Sequence, residues 1–113
     1  RLKELFKRSK KILRNDIELL RIGRHFWFNS RIKVVIGRNE KENEKLEKLA
    51  LKGDLLISME NYPGPTVLIR NYENTRIPEE IVAKAKELIL RYSPKARDKL
   101  DVKFLFRDKK SDN

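Results

Sequence analysis

The chain has 113 residues, enough for one domain with a modest hydrophobic core. It contains no cysteine and a single histidine, which excludes disulfides, thiolate zinc sites and a cysteine nucleophile, and restricts histidine-based catalysis. Lysine and arginine number 28 against 17 aspartate and glutamate, a formal net charge of +11, which favours a polyanionic partner: nucleic acid first, an anionic membrane surface second.

The sequence shows no targeting segment. No apolar run approaches the roughly 18 residues of a membrane span, and no charged start is followed by the apolar region of a signal peptide. The lack of cysteine suits a reducing compartment, so we predict a cytoplasmic location and no transmembrane segment. Because the first residue is Arg1 rather than methionine, we interpret the chain as part of a longer protein.

The amino-terminal residues 1–14 have apolar side chains at helical spacing and a basic opposite side. From Arg1 to Arg24 there are nine basic and three acidic residues. The pattern predicts a basic amphipathic helix, which is either an arm for nucleic acid or lipid headgroups or an ordinary surface helix packed by its apolar stripe. A short strand is predicted next, from Ile17 to Ile22.

A β-hairpin is predicted from strands at residues 24–28 and 31–36, joined by the turn formers Asn-Ser at 29–30. A two-residue loop would turn Trp27 and His25 toward the core, because residues paired across strands share a face. A three-residue loop would leave both outside. A lone histidine is most often a hydrogen-bonded core or boundary residue, so we do not predict a catalytic role for His25.

With the two-residue loop, Phe26 and Phe28 would lie on the other face of the hairpin, next to basic side chains. Aromatic rings interleaved with cations suit base stacking and phosphate contact. The alternative is that both rings pack beneath another element. The cations predicted to contact phosphate are Arg24, Arg31, Lys33, Arg38 and Arg70.

A charged helix is predicted from Asn39 to Lys52, since Asn39 suits a helix start and Glu42 completes a capping-box pattern. Gly37 precedes this start, at a place where backbone amides can hold a phosphate. Asn43 falls on the apolar stripe of the helix and must find hydrogen-bond partners, which we expect among the backbone groups of residues 62–64.

Further strands are predicted at residues 54–59, 66–71 and 100–106, with a turn containing Pro63 and Gly64 and a helix that begins at Pro78 and ends before Pro94. The predicted fold class is α+β: a single domain with a mixed, mostly antiparallel sheet and helices packed mainly on one face. We divide the chain into an arm (1–14), a domain (15–108) and a polar tail (109–113).

Several positions resemble the NFACT-R domain, the RNA-binding module at the centre of the ribosome-quality-control NFACT proteins. The resemblance covers about residues 24–72, with a looser match to the end. It implies association with tRNA or ribosomal RNA and supplies no catalytic residue or cofactor. The residues that carry it are Trp27-Phe28, Val35-Ile36-Gly37-Arg38-Asn39, Asn43, Asp54 and Pro63-Gly64.

The chain departs from the larger NFACT proteins at two places. Ile57-Ser58 stands where those proteins have an aromatic-His pair, and Pro65-Thr66 where they have Ser-His. The Pro-Gly-Pro-Thr version, with Tyr92-Ser93 ending the next helix, is similar to a divergent branch at the carboxyl end of proteins related to tRNA thiolation enzymes. That resemblance implies an upstream or separate catalytic domain, since these 113 residues contain no Ser-Gly-Gly-x-Asp-Ser adenylating loop.

The sequence therefore predicts an RNA-binding module, for tRNA or ribosomal RNA, that is not an enzyme by itself and uses neither cofactor nor metal. One alternative is a protein-interaction or oligomerisation module, such as a homodimer, whose basic residues are solubilising. Another is a peripheral membrane module led by the amino-terminal helix. The residues assigned a structural role in the motif are Gly37, Asn39, Asn43, Pro63 and Gly64.

Overall fold

The computed structural model describes residues 10, 13–73 and 75–108 as three helices and a five-stranded sheet, which confirms a single α+β domain. The predicted strand at residues 17–22 is wrong, because Leu19 and Ile22 are buried three residues apart, at helical spacing. In chain order the elements are α1 (residues 13–20), β1 (Arg24–Trp27), β2 (Ile32–Ile36), α2 (Glu40–Leu49), β3 (Leu55–Met59), β4 (Val67–Asn71), α3 (Glu79–Arg91) and β5 (Phe104–Asp108).

The five strands follow the order β1-β2-β4-β3-β5, and each neighbouring pair is antiparallel. The sheet is therefore antiparallel throughout, where a mixed sheet was predicted. β2 and β4 lie near the centre and are buried along their whole length, whereas β1 and β5 form the two edges. The predicted arm at 1–14 lies almost entirely outside the described residues, and so does the tail at 109–113.

Helices cover both faces of the sheet rather than mainly one. On one face, α3 packs Ile81, Ala85, Leu88 and Ile89 against the strands. On the other face, Leu19 from α1 and Leu46 from α2 pack on the central strands, through Val35, Leu56 and Leu68. β2 and β4 are nearly continuous apolar runs without alternation, which is the pattern of strands buried on both faces, and the prediction of helices mainly on one face did not use this signal.

The hairpin loop has three residues, so the pairing of β1 with β2 is shifted by one from the prediction. Asn29 Oδ1 accepts hydrogen bonds from the N–H groups of Arg31 (2.7 Å) and Ile32 (2.9 Å), and closes the loop. Phe28 N–H donates to Ile32 O (3.0 Å). This local side-chain turn fixes the longer loop, and it reverses the predicted faces of the strand.

The aromatic residues of β1 therefore lie on the opposite faces from those that the two-residue loop predicts. Trp27 stands opposite Lys33, is 59% exposed, and stacks on Tyr72 with ring centroids 5.7 Å apart. Phe26 stands opposite Val34 and so lies on the α3 side of the sheet. His25 Nε2 contacts Ile22 O at 2.8 Å, which confirms the hydrogen-bonded boundary role predicted for this histidine.

Candidate functional site

A groove of about 680 Å³ lies at one end of the sheet, where β2 ends and α2 begins. We refer to it as the groove. Its walls come from residues 36–40, from the turn at residues 62–66, from Arg24 at the start of β1, and from Tyr92 just after α3. All five residues predicted to form the structural motif line it, namely Gly37, Asn39, Asn43, Pro63 and Gly64.

The floor of the groove is built by three residues that fit closely together. Gly37 N–H donates to Thr66 O (3.0 Å), and Thr66 N–H donates to Asn43 Oδ1 (3.0 Å). A Cβ added to Gly37 would collide with Asn43 Oδ1 and lie 3.1 Å from the Asn43 backbone nitrogen. The partner predicted for Asn43 in residues 62–64 is thus found slightly further along the same turn.

The far wall of the groove is the proline turn, which rests on the end of α3. Ser93 Oγ donates to Pro63 O (2.8 Å). A Cβ added to Gly64 would collide with Met59 Cε and approach Ser93 Oγ to 3.0 Å. The glycine therefore lets the turn close against both neighbours.

Arg38 is held at the rim of the groove by Glu42. Asn39 caps α2 as predicted, since its Oδ1 accepts from Glu42 N–H (2.9 Å). The Glu42 carboxylate does not complete the predicted capping box, because it accepts instead from the N–H groups of Gly23 (3.1 Å) and Arg38 (2.9 Å). It also accepts from Arg38 Nε (3.0 Å) and Nη2 (2.8 Å), which fixes a half-exposed guanidinium beside the groove.

These contacts stabilise the ionised form of Glu42. The side-chain hydrogen bond from Arg38 is the main reason that the pKa of Glu42 falls from 4.5 to about 2, and the N–H groups of Arg38 and Gly23 add to the shift. The side-chain hydrogen bond with Glu42 also raises the pKa of Arg38, which therefore remains a cation.

Acid is expected to remove the contribution of Glu42 to folding stability. Because its pKa is lower in the folded than in the unfolded chain, that contribution is fully present above about pH 5 and is lost as the pH falls toward 2. The difference in Tm between the protein and a Glu42→Gln variant should therefore shrink between about pH 5 and pH 2, as followed by circular dichroism. A difference that stays constant over this range would contradict the prediction.

Two tyrosine rings complete the groove. The Arg24 guanidinium lies over the Tyr92 ring, 5.0 Å from its centroid. Tyr62 Oη donates to Asp101 Oδ1 (2.5 Å), a hydrogen bond that raises the pKa of Tyr62 and holds its ring in place. The groove thus combines two arginines with two oriented aromatic rings.

Two of the predicted phosphate contacts are wrong in this structure, because Arg70 and Lys33 are each only 2% exposed. Arg70 Nε donates to Asp54 Oδ2 (2.8 Å) and Nη1 donates to Asp16 Oδ1 (2.6 Å). Lys33 stands opposite Arg70 across β2 and β4, and burial lowers its pKa. Both cations point into the sheet face covered by α1 and α2, where no polyanion can reach them.

The remaining predicted residues do not form one cluster. Arg31 and Phe28 lie at the hairpin loop, at the opposite end of β2 from the groove, and Arg31 pairs with Glu73 (3.3 Å). Phe26 lies two residues after Arg24, so both side chains are on the same face of β1, and Phe26 is partly exposed. The structure therefore brings Arg24 and Arg38 together at the groove and separates them from Arg31.

Sequence reasoning did not include the tyrosines of the groove among the site residues. Tyr92 was considered as the last residue of a predicted helix, and its ring is exposed there. Tyr62 was considered only for its backbone, as one of the expected partners of Asn43. The sequence did contain one signal for these tyrosines. Tyr62 directly precedes Pro63 and Tyr92 directly precedes Ser93, and a residue next to such a turn former is more often exposed than one inside a helix or strand.

This fold and groove define a small, basic binding domain with cations and aromatic rings at one end of an antiparallel sheet. Among the described residues, no group of three histidine, acidic or cysteine side chains could hold a metal ion, and no helix is both long and apolar enough to cross a membrane. The chain belongs to the NFACT protein RNA binding domain family, whose model matches residues 23–113.

A solved structure supports the fold. The C-terminal part of the fibronectin/fibrinogen-binding protein from Streptococcus suis is similar to this chain, with a TM-score of 0.62 and 25% sequence identity. The similarity covers 77% of this chain and 34% of that one, so the chain spans about a third of the solved structure. A sequence search among curated proteins finds no significant match.

Proposed function

We propose that this domain binds RNA through the groove and the surface around it, and that it docks tRNA or ribosomal RNA for a catalytic domain elsewhere. Membership of an RNA-binding family supports the proposal. The single observation that carries it is the meeting of Arg24, Arg38 and two tyrosine rings in one open groove. Such a set can contact phosphates and stack on bases at the same place.

The cellular context we propose is tRNA modification in the cytoplasm. The Pro-Gly-Pro-Thr turn at residues 63–66, with Tyr92-Ser93 after α3, resembles the divergent branch associated with tRNA thiolation. In this proposal the domain is not catalytic by itself, and it presents the RNA to an adenylating domain on the same chain or on a partner. The basic balance of the sequence, +11, agrees with a role in holding a polyanion.

The affinity for RNA is expected to fall steeply with salt, with a log-log slope of roughly −0.7 to −0.9 per phosphate contact. Replacing Arg24 and Arg38 together with glutamine should remove two contacts and make the slope shallower by roughly 1.4–1.8. Fluorescence anisotropy of a labelled tRNA, titrated at several potassium chloride concentrations, measures both quantities.

The matched control replaces Arg31 and Arg76 with glutamine, because it removes the same charge at the opposite end of the sheet. We expect this control to lose less affinity than the groove variant. Equal losses in the two variants would show that binding is diffuse rather than centred on the groove. An affinity that does not change with salt would overturn the proposal.

The alternative is an oligomerisation module, and edge strand β5 favours it. Leu105 and Phe106 are exposed on this edge, and an unpaired edge can add a strand from a second copy. Sedimentation of the same samples separates the two functions. A dimer that does not bind RNA would favour the alternative, whereas a monomer that binds RNA would favour docking.

A further inference from the structure

We propose that the groove holds one unpaired nucleotide of the RNA, with its base against the Arg24–Tyr92 pair and its phosphate at Arg38. This inference rests on the proposed function and adds what part of the RNA is recognised. The groove is open to solvent, and its volume of about 680 Å³ falls within the roughly 300–1,000 Å³ of small-molecule binding sites, so it has room for one nucleotide. A paired helix cannot enter such a space, whereas a single base that has left the stack can.

The base side of the groove is already arranged. The Arg24 guanidinium carbon lies over the Tyr92 ring, 5.0 Å from its centroid, and guanidinium planes and tyrosine rings are the surfaces on which unpaired RNA bases stack. The Tyr62 hydroxyl donates its proton to Asp101, which holds the Tyr62 ring at the groove. Rings that are ordered beforehand reduce the entropy lost when a base binds.

Phosphate binding in the groove depends on the N–H donors of Arg38 that Glu42 does not use. A guanidinium carries five N–H donors, and Glu42 takes one on Nε and one on Nη2. Three donors therefore remain on a side chain that is 49% exposed and fixed at the rim. Because Glu42 holds the guanidinium without using all its donors, Arg38 can bind a phosphate without first losing side-chain freedom.

Glu40 also lines the groove and works against a bound phosphate. Its carboxylate lies in the first turn of α2, close to the residues that would hold the anion. Replacing Glu40 with glutamine should therefore strengthen RNA binding by roughly 2- to 5-fold, since one repulsive charge is removed. This variant gives a gain rather than a loss, so a defect in folding cannot produce the expected result.

The test compares two RNA hairpins that have the same stem, closed by a non-nucleotide linker so that neither has an unpaired loop: one is blunt, and one has a short single-stranded 3′ overhang that contains 2-aminopurine. We expect tighter binding to the overhang and quenching of 2-aminopurine fluorescence as its base stacks. Replacing Tyr92 with leucine should weaken overhang binding by roughly 5- to 150-fold and abolish the quenching. Tyr92→Phe, which keeps the ring, should retain both.

Tyr72→Leu is the matched control. Tyr72 is exposed to the same extent as Tyr92, 38% against 37%, but it lies at the opposite end of the sheet. This variant should keep the preference for the overhang and the quenching. Thermal unfolding of both variants verifies that each is folded at the temperature of the binding measurement.

The outcomes separate the two proposals. If the protein binds neither hairpin, RNA docking itself is wrong, and the nucleotide site with it. If it binds both hairpins equally, or if Tyr92→Leu and Tyr72→Leu behave alike, RNA docking stands and the nucleotide site is overturned. A preference for the overhang that is lost in Tyr92→Leu and enhanced in Glu40→Gln supports a site for one unpaired nucleotide.

Discussion

Replacing Arg70 with methionine is expected to lower the free energy of unfolding by about 3–5 kcal/mol. The substitution leaves the Asp54 carboxylate, which is almost fully buried, without its 2.8 Å partner, and it also unpairs Asp16. Nη2 of the same guanidinium donates to Asn15 Oδ1 and to Leu49 O, both at 2.8 Å, so contacts to α1 and to the end of α2 are lost together. Urea unfolding followed by circular dichroism measures the change.

The control breaks an exposed ion pair in the same way. Arg31 and Glu73 are 63% and 50% exposed and 3.3 Å apart, so Arg31→Met should cost less than about 1 kcal/mol. Combining Arg70→Met with Asp54→Leu should cost less than the sum of the two single changes, because the second change removes the unpaired charge. If Arg70→Met is no more harmful than Arg31→Met, the buried network does not hold the helices on this face.

The burial of Arg70 illustrates what the sequence does not contain. In the sequence it is one basic residue at the end of an apolar strand, which is typical of an exposed edge or a ligand contact. Its acidic partners lie 16 and 54 positions away along the chain, in the loop before β3 and in α1. Only the antiparallel pairing of β4 with β3 and the packing of α1 bring these carboxylates to the guanidinium.

The elements themselves were largely predictable, because their signals are local. The apolar runs of β2 and β4 and the Asn39 start of α2 need no tertiary information. The register of the hairpin was not predictable in the same way. One additional loop residue, selected by the hydrogen bonds of Asn29, moves every side chain of β1 to the other face.

The backbone motif of the candidate site was predictable from the sequence, but the aromatic rings and cations that face the groove were not. Gly37, Asn39 and Asn43 have spacings that fix a strand, a turn and a helix start, and the structure brings them together with Pro63 and Gly64. Tyr92 and Arg24 come instead from the end of α3 and the start of β1. They meet because α3 packs on the face of the sheet that carries Ile36, the partner of Arg24, and no local pattern in the sequence specifies that packing.

Replacing Gly37 with alanine is expected to lower the free energy of unfolding by about 2–5 kcal/mol, from overpacking and from a lost hydrogen bond. The new methyl group would occupy the position of Asn43 Oδ1, so the amide must move away. Thr66 N–H, which donates to that oxygen, would then be buried without an acceptor. Chemical denaturation followed by circular dichroism gives the free energy.

A double-mutant cycle with Asn43→Ala identifies the cause. Asn43→Ala alone should cost about 1–3 kcal/mol, because it removes the acceptor of Thr66 N–H. Once the amide is absent, Gly37→Ala should cost much less than in the natural background, since the added methyl group no longer meets Oδ1. Gly64→Ala is the comparison glycine: its added methyl group overlaps only the flexible end of Met59, which can turn aside, and lies 3.0 Å from Ser93 Oγ and 3.2 Å from Ser93 Cβ, so this change should cost less than Gly37→Ala. Equal costs for Gly37→Ala in both backgrounds would mean that the contact with Asn43 is not what requires a glycine at the floor of the groove.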